Sequence, residues 1–275
     1  MDNRIIGFGI AGNFARHLEQ AGESADFIGI ETAEEDAPKG IFPTYLPGSD
    51  TFLGVDPFSC ETIRMPEDPA KPIQMEPEVA LLCDIAYDAA HRITALTPTR
   101  FAAYNDCSIR IEGAPKISLK KNWGPETKGI ACEMTPLDRF APGGMLDHYT
   151  LTSFVKHAGK LHQYGEESPL ATYSYFYQKL TDWIVDKLNT QRDHGPLEDL
   201  PALIASADYP TRMLISIGAT RYTPYGERHY LQEGDRLFVV VYDHERYTHR
   251  EISEMAEREK FEMEGISLLM QEVRK

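Results

Sequence analysis

The stretch from residue 32 to residue 74, TAEEDAPKGIFPTYLPGSDTFLGVDPFSCETIRMPEDPAKPIQ, constrains the fold more than any other part of this chain. It is rich in proline and glycine, holds only short apolar bursts and has no helical period, so it reads as loops and short β segments. That reading matters because of what precedes it. Residues 7–12 are Gly-Phe-Gly-Ile-Ala-Gly, the spacing of a dinucleotide-binding turn. FIGIE at 27–31 ends in Glu31, 19 residues after Gly12, where such a domain carries its ribose ligand. A nucleotide-binding domain must continue as alternating strands and helices. Residues 32–74 do not, so a dinucleotide-binding oxidoreductase becomes the third reading of the chain. The glycines then read as a tight turn that ends an N-terminal strand and delivers Asn13 and His17.

Charge excludes other classes. The 28 basic and 43 acidic side chains of the 275 residues give a net charge of −15, which offers no general attraction to nucleic acid or anionic membranes. The longest apolar runs, such as LFVVVY at 237–242, are strand-length. The N-terminus has no long apolar segment of the secretory type. Cys60, Cys83, Cys107 and Cys132 form no C-x-x-C pair, and the simplest reading is four free thiols in a reducing cytoplasm.

Downstream, residues 78–96 predict two strands around a turn, residues 99–110 a short helix running into a loop or strand, and residues 129–144 a strand and a Pro/Gly turn. Phe176, Leu180, Trp183, Ile184 and Leu188 recur at helical spacing in 172–190, and 197–205 suggests another short helix. Residues 213–219 and 236–242 read as buried strands, and the charged last 25 residues as helix-favouring. The aromatic run YSYFY at 173–177 reads as core or dimer interface. The histidines other than His17 show no paired-ligand pattern. The layout is mixed and β-rich.

Three stretches carry chemistry. Glu76 and Glu78 flank Pro77, and on a strand residues two apart share a face, where two carboxylates repel unless protonated, solvated or bound to a cation. Asp106 is a second acid, in YNDCSIR, with Arg110 four residues on. The stretch 116–130, KISLKKNWGPETKGI, is locally basic in an acidic chain, with Lys116, Lys120, Lys121 and Lys128. Each has a bland reading as a solvated loop. The sharper reading is one site that receives an anionic substrate.

In this order the residues resemble the fumarylacetoacetate hydrolase family. The resemblance runs through EPE at 76–78, NDCSIR at 105–110, Trp123 with KG at 128–129, SIGAT at 216–220, LQEGD at 231–235 and, at the N-terminus, NFARH at 13–17. It covers roughly residues 4 to 245. It implies that Glu76, Glu78 and Asp106 hold a divalent metal, for which hard oxygen ligands suit Mg²⁺, with Mn²⁺ or Ca²⁺ as alternatives. It also implies that Lys128 binds the substrate oxyanion beside the metal, that Arg110 reaches the substrate, and that His17 acts as the general base. Two positions depart from the pattern. Gln20 stands where the base's glutamate partner is expected, and Thr220 is displaced by one residue because Ala219 follows Gly218. Both Gln20 and Thr220 are taken as substrate-binding.

The expected fold is α+β and β-rich, a fumarylacetoacetate hydrolase-like mixed β-sheet roll or barrel with flanking helices. Residues 1–60 would pack over the site and 61–275 form the catalytic domain with a C-terminal helix. The expected function is a cytoplasmic, homodimeric hydrolase or lyase for a small anionic 2-oxo or 1,3-dicarbonyl carboxylate. It would work through a metal-bound enolate in carbon–carbon hydrolysis, decarboxylation, hydration or isomerisation, with no nucleic-acid or membrane partner. The second reading is a non-catalytic, ligand-binding member of the same fold.

Overall fold

The computed structural model of the protein describes residues 5–14, 20, 27, 29, 32, 34 and 36–275. In chain order the strands are β1 (Ile5–Ala11), β2 (Gly40–Tyr45), β3 (Phe58–Ser59), β4 (Thr62–Arg64), β5 (Ile73–Gln74), β6 (Pro77–Tyr87), β7 (Ile93–Asn105), β8 (Ser108–Ile109), β9 (Lys128–Ile130), β10 (Thr135–Pro136), β11 (Tyr149–His157), β12 (Lys160–Pro169), β13 (Arg212–Ser216), β14 (Arg236–Asp243) and β15 (Ile266–Arg274). The helices among the described residues are α1 (Ser118–Lys121), α2 (Tyr177–Thr190), α3 (Leu200–Ser206) and α4 (His249–Arg258).

Two large sheets hold all of these strands but β5 and β8, which pair with each other. The larger runs β2-β1-β13-β6-β7-β9-β3, with β10 on β7, and mixes parallel with antiparallel pairs; the smaller runs β12-β11-β14-β15-β4. The main core lies between them, with Leu81, Phe101 and Ile215 from the first sheet and Leu151, Val239 and Leu269 from the second. α4 covers the other face of the small sheet, where Ile252 and Ala256 meet Phe154, Phe238 and Val240. α2 buries Leu180, Ile184 and Leu188, one helical stripe, and Tyr173 and Tyr175 before it are core residues. This is the expected β-rich architecture with flanking helices. No helix among the described residues is long and apolar enough to cross a membrane.

Four expectations are corrected. Residues 99–105 are strand, not helix, because Phe101, Ala102, Ala103 and Tyr104 are buried on both faces of a central strand, and that packing overrides local propensity. The C-terminal segment is helix only to Arg258. Glu259 and Gly265 take left-handed φ, and the chain then pairs as β15 along β14. Of the motif glycines only Gly12 turns, at φ 77°; Gly7 and Gly9 lie inside β1. A Cβ on Gly9 would lie 2.5 Å from the Phe42 ring and 3.0 Å from Ser216 Oγ, so that glycine permits close strand packing. The cysteines are not all free. Cys60 and Cys132 form a disulfide, with Cα atoms 5.1 Å apart, because parallel pairing of β3 with β9 sets Ser59 against Gly129 and brings the two thiols to the same edge. The ground for a reducing compartment is removed with it. Cys83 and Cys107 are buried thiols.

Candidate functional site

Strand direction collects the candidate residues. β6 and β7 are antiparallel with Pro77 opposite Asn105, so the start of one meets the end of the other, and Glu76 and Glu78 come beside Asp106. β9 runs antiparallel to β7 with Gly129 opposite Asn105, which delivers Lys128. β13 is antiparallel to β6 and parallel to β1, so Ser216–Thr220 and Ala11–Gly12 arrive at the same end. Backbone and amide bonds fix the corner: Asp106 N donates to Glu76 O at 2.9 Å and Glu76 N to Asn105 Oδ1 at 3.2 Å.

The three carboxylates are buried, and one oxygen from each lies within 4.8 Å of the others. Lys121, on α1, places its ammonium 2.7 Å from Glu76 Oε2 and 2.6 Å from Asp106 Oδ2 while lying over the Phe42 ring. Lys128 Nζ lies 3.1 Å from Asp106 Oδ1, donates to Cys107 O and sits over the Trp123 ring. Arg110 reaches Glu76 Oε1 at 2.8 Å, Gln74 Oε1 at 2.7 Å and Tyr222 Oη at 2.9 Å. Three cations thus face Glu76 and Asp106. Their electrostatics are uneven, because no basic side chain among the described residues pairs with Glu78, which accepts Gly218 N–H at 2.9 Å. Burial first, then the charges of Asp106 and Glu76, hold its carboxyl well above the usual glutamate range. Burial also holds the Lys128 ammonium below the ordinary lysine value, against the pull of Asp106.

The other expected residues take definite places. Gln20 accepts Tyr222 N–H at 3.0 Å and donates to Tyr222 O at 3.3 Å. A glutamate could accept the first bond but has no N–H for the second, so the departure from the family pattern has a structural cause. Asn13 clasps Tyr175 and Ile217 O, which ties the N-terminal turn to the site strands. Thr220 is fully buried, and its hydroxyl has no hydrogen-bond partner among the described residues. His17 and Glu31 lie outside the described residues. Lys116 turns away to Asp193, Gly195 O and Leu197 O. Two residues belong here that the sequence motifs did not single out, Lys121 and Tyr222. The basic run at 116–121 was the only local signal for the first, and nothing local marks the second.

Among the described residues, little room lies beside the acids. The cavity against the three acids, bounded also by Gly12, Phe42, Ile117 and Ala219, holds about 10 Å³, room for a single water. A divalent cation nevertheless fits the donor set: hard oxygens converge, and no basic side chain among the described residues pairs with the Glu78 carboxyl. The Lys121 ammonium now sits between two of these carboxylates.

The fold is shared with known proteins. An HpcE-assigned protein from Mycobacterium smegmatis superposes with TM-score 0.55 at 15% identity, over 98% of this chain and 75% of the other. A 2-keto-3-deoxy-D-arabinonate dehydratase complexed with magnesium and 2,5-dioxopentanoate gives 0.53 at 14%, over 98% and 73%. A protein from Yersinia pestis CO92 assigned to the fumarylacetoacetate hydrolase family gives 0.50 at 12%, over 100% and 95%. The chain therefore has the fumarylacetoacetate hydrolase fold, which bears out the sequence resemblance at the level of architecture. By sequence it belongs to the family of unknown function DUF5718, whose model matches residues 23–273. A search of the curated proteins found no significant match.

Proposed function

We propose that the chain is a metal-dependent hydrolase or lyase for a small 2-oxo or 1,3-dicarbonyl carboxylate, working through an enolate. The convergence of Glu76, Glu78 and Asp106 with Lys128 at one end of the large sheet carries this reading. The magnesium and dioxo-acid complex of the dehydratase with the same fold supports it. Glu76, Glu78 and Asp106 would hold the cation, Mg²⁺ first, which when bound supplies Lewis-acid polarisation of the substrate carbonyl.

The protein's own side chains do the rest. Lys128 stabilises the enolate oxygen or oxyanion. It is buried and lowered from the ordinary lysine value, so it can also give up a proton there. Lys121, released from Glu76 and Asp106, becomes an ammonium for the substrate carboxylate. Arg110 positions Glu76 and Tyr222, the Thr220 hydroxyl faces the substrate, and Gln20 acts through the Tyr222 backbone. His17 moves the proton or activates water. The net reaction is one of carbon–carbon hydrolysis, decarboxylation, hydration or isomerisation. The homodimer rests on the family resemblance; the cytoplasmic setting rests on a reading of four free thiols, and the Cys60–Cys132 bond runs against a strongly reducing compartment.

A panel of acylpyruvates and oxaloacetate with Mg²⁺ or Mn²⁺ tests this reading. Turnover is expected from the wild type and not from Asp106→Asn. The second reading, a non-catalytic ligand-binding protein, is favoured by the Lys121 ammonium seated between two acids and by the 10 Å³ cavity. Ligand-induced thermal stabilisation without turnover across that panel would select it.

A further inference from the structure

A second group of ligand-type side chains lies away from the acidic site, at the end of the β11–β14 ladder. The register that sets Lys156 opposite Arg236 makes His157 and Asp235 the next pair along. His157 Nδ1 lies 2.7 Å from Asp235 Oδ1. His229, from the loop between β13 and β14, brings Nε2 to 2.8 Å from Asp235 Oδ2. One donor atom from each of the three falls within 4.8 Å of the others.

We infer that His157, His229 and Asp235 form a second cation site, for a borderline divalent transition metal such as Zn²⁺ rather than Mg²⁺. The donor set is two imidazole nitrogens and one carboxylate, which suits such ions and not hard ones. A metal about 2.0–2.2 Å from each donor requires the present contacts to spread by only about half an ångström. The outer partners are in place. Tyr225 Oη lies 3.1 Å from His229 Nδ1 and accepts its N–H once Nε2 turns to the metal. Tyr164 Oη fixes the same residue by donating to His229 O at 2.8 Å, and Gln232 N–H holds Asp235 Oδ2 at 2.9 Å. His162 stacks flat on Tyr225, with centroids 4.0 Å apart. Access is open, because His157 is 34% exposed and a surface depression bounded by Pro224, Tyr225, Arg228 and His229 leads in. Protons balance without net release. Each imidazole moves its N–H from the Asp235 side to its other nitrogen, His157 to the solvent side and His229 to Tyr225. The site's effect is a staple: it fastens the loop that carries Thr220 and Tyr222 at one end to the small sheet at the other.

Zn²⁺ titration of the full-length protein tests this inference. In excess Mg²⁺, which fills the acidic site, one further ion per chain is expected at the histidine cluster. Its affinity should fall roughly a hundredfold in His229→Ala and in His157→Gln, at the upper end of what loss of an outer partner costs, and be unchanged in the remote His91→Gln. Wild-type affinity in both cluster variants, loss in His91→Gln, or no Zn²⁺ bound overturns the assignment. Should His229→Ala fail to fold, His157→Gln at its partly exposed position and the Co²⁺ spectrum of the wild type decide. Intense visible bands of a low-coordinate nitrogen–oxygen site support the inference, and the weak spectrum of an all-oxygen octahedral site refutes it.

Discussion

The two clusters of ligand-type side chains solve one electrostatic problem in opposite ways. At the end of the large sheet, Glu76, Glu78 and Asp106 are buried; Lys121, Lys128 and Arg110 neutralise Glu76 and Asp106 from within, and Glu78 pairs with no basic side chain among the described residues. At the end of the small sheet, Asp235 is buried but shares its charge through hydrogen bonds with two partly exposed imidazoles. Burying an ion pair stores a penalty that appears in full when one partner is removed, and buried Asp235 divides that dependence between two imidazoles. The acidic end therefore concentrates its charges in one buried cluster, and the histidine end spreads a single charge over two hydrogen bonds.

The largest effect that can break this contrast is expected at Lys121. Lys121→Met leaves Glu76 to Arg110 and Asp106 to Lys128 and should lower metal-free stability by about 3–5 kcal/mol. Mn²⁺ should restore more stability to this variant than to the wild type, as read by denaturant unfolding. Next comes the disulfide that closes the acidic sheet's edge. Replacing Cys60 and Cys132 with serine frees a loop of 72 residues and should cost about 2–4 kcal/mol. A smaller loss, roughly 1–2 kcal/mol, is expected for Gln20→Glu, which cannot donate to the Tyr222 carbonyl. If the glutamate variant were as stable as the wild type, the two-point clasp would not be the reason for Gln20.

The sharpest comparison is in pH. The folded protein raises the Glu78 value above its unfolded 4.5. The neutral carboxyl thus stabilises fully at acid pH, and that contribution is lost as pH rises through the folded value. Glu78→Gln keeps a neutral side chain throughout. Without metal, the variant should gain on the wild type as pH rises above 4.5 and not below it, as read from melting temperatures across pH.

What could be read from the sequence follows the range of the interactions. The β6–β7 pair, the helix at 177–190 and the three acids were legible, because apolar runs, helical spacing and short motifs act within a few residues. β15 was not. Charged, helix-favouring residues precede it, and it is held by backbone pairing with β14 on one side and by buried Gln271, bonded to Ser59 O and Thr62 O far away in sequence, on the other. The disulfide, the Tyr222 clasp and the His157–Asp235–His229 group join distant segments through sheet register, which no local pattern encodes. Lys121 was visible as charge, yet only the fold turns it inward between two acids.

The most direct test of the acidic site is calorimetric titration of Mn²⁺ into the wild type, Glu78→Ala and Lys121→Met. A cation held by the three carboxylates, in competition with the lysine, predicts weaker binding in Glu78→Ala and tighter binding in Lys121→Met, by roughly tenfold or about 1.4 kcal/mol. Undiminished binding in Glu78→Ala would contradict the site itself. Unchanged affinity in Lys121→Met would show that the ammonium and the metal do not share it.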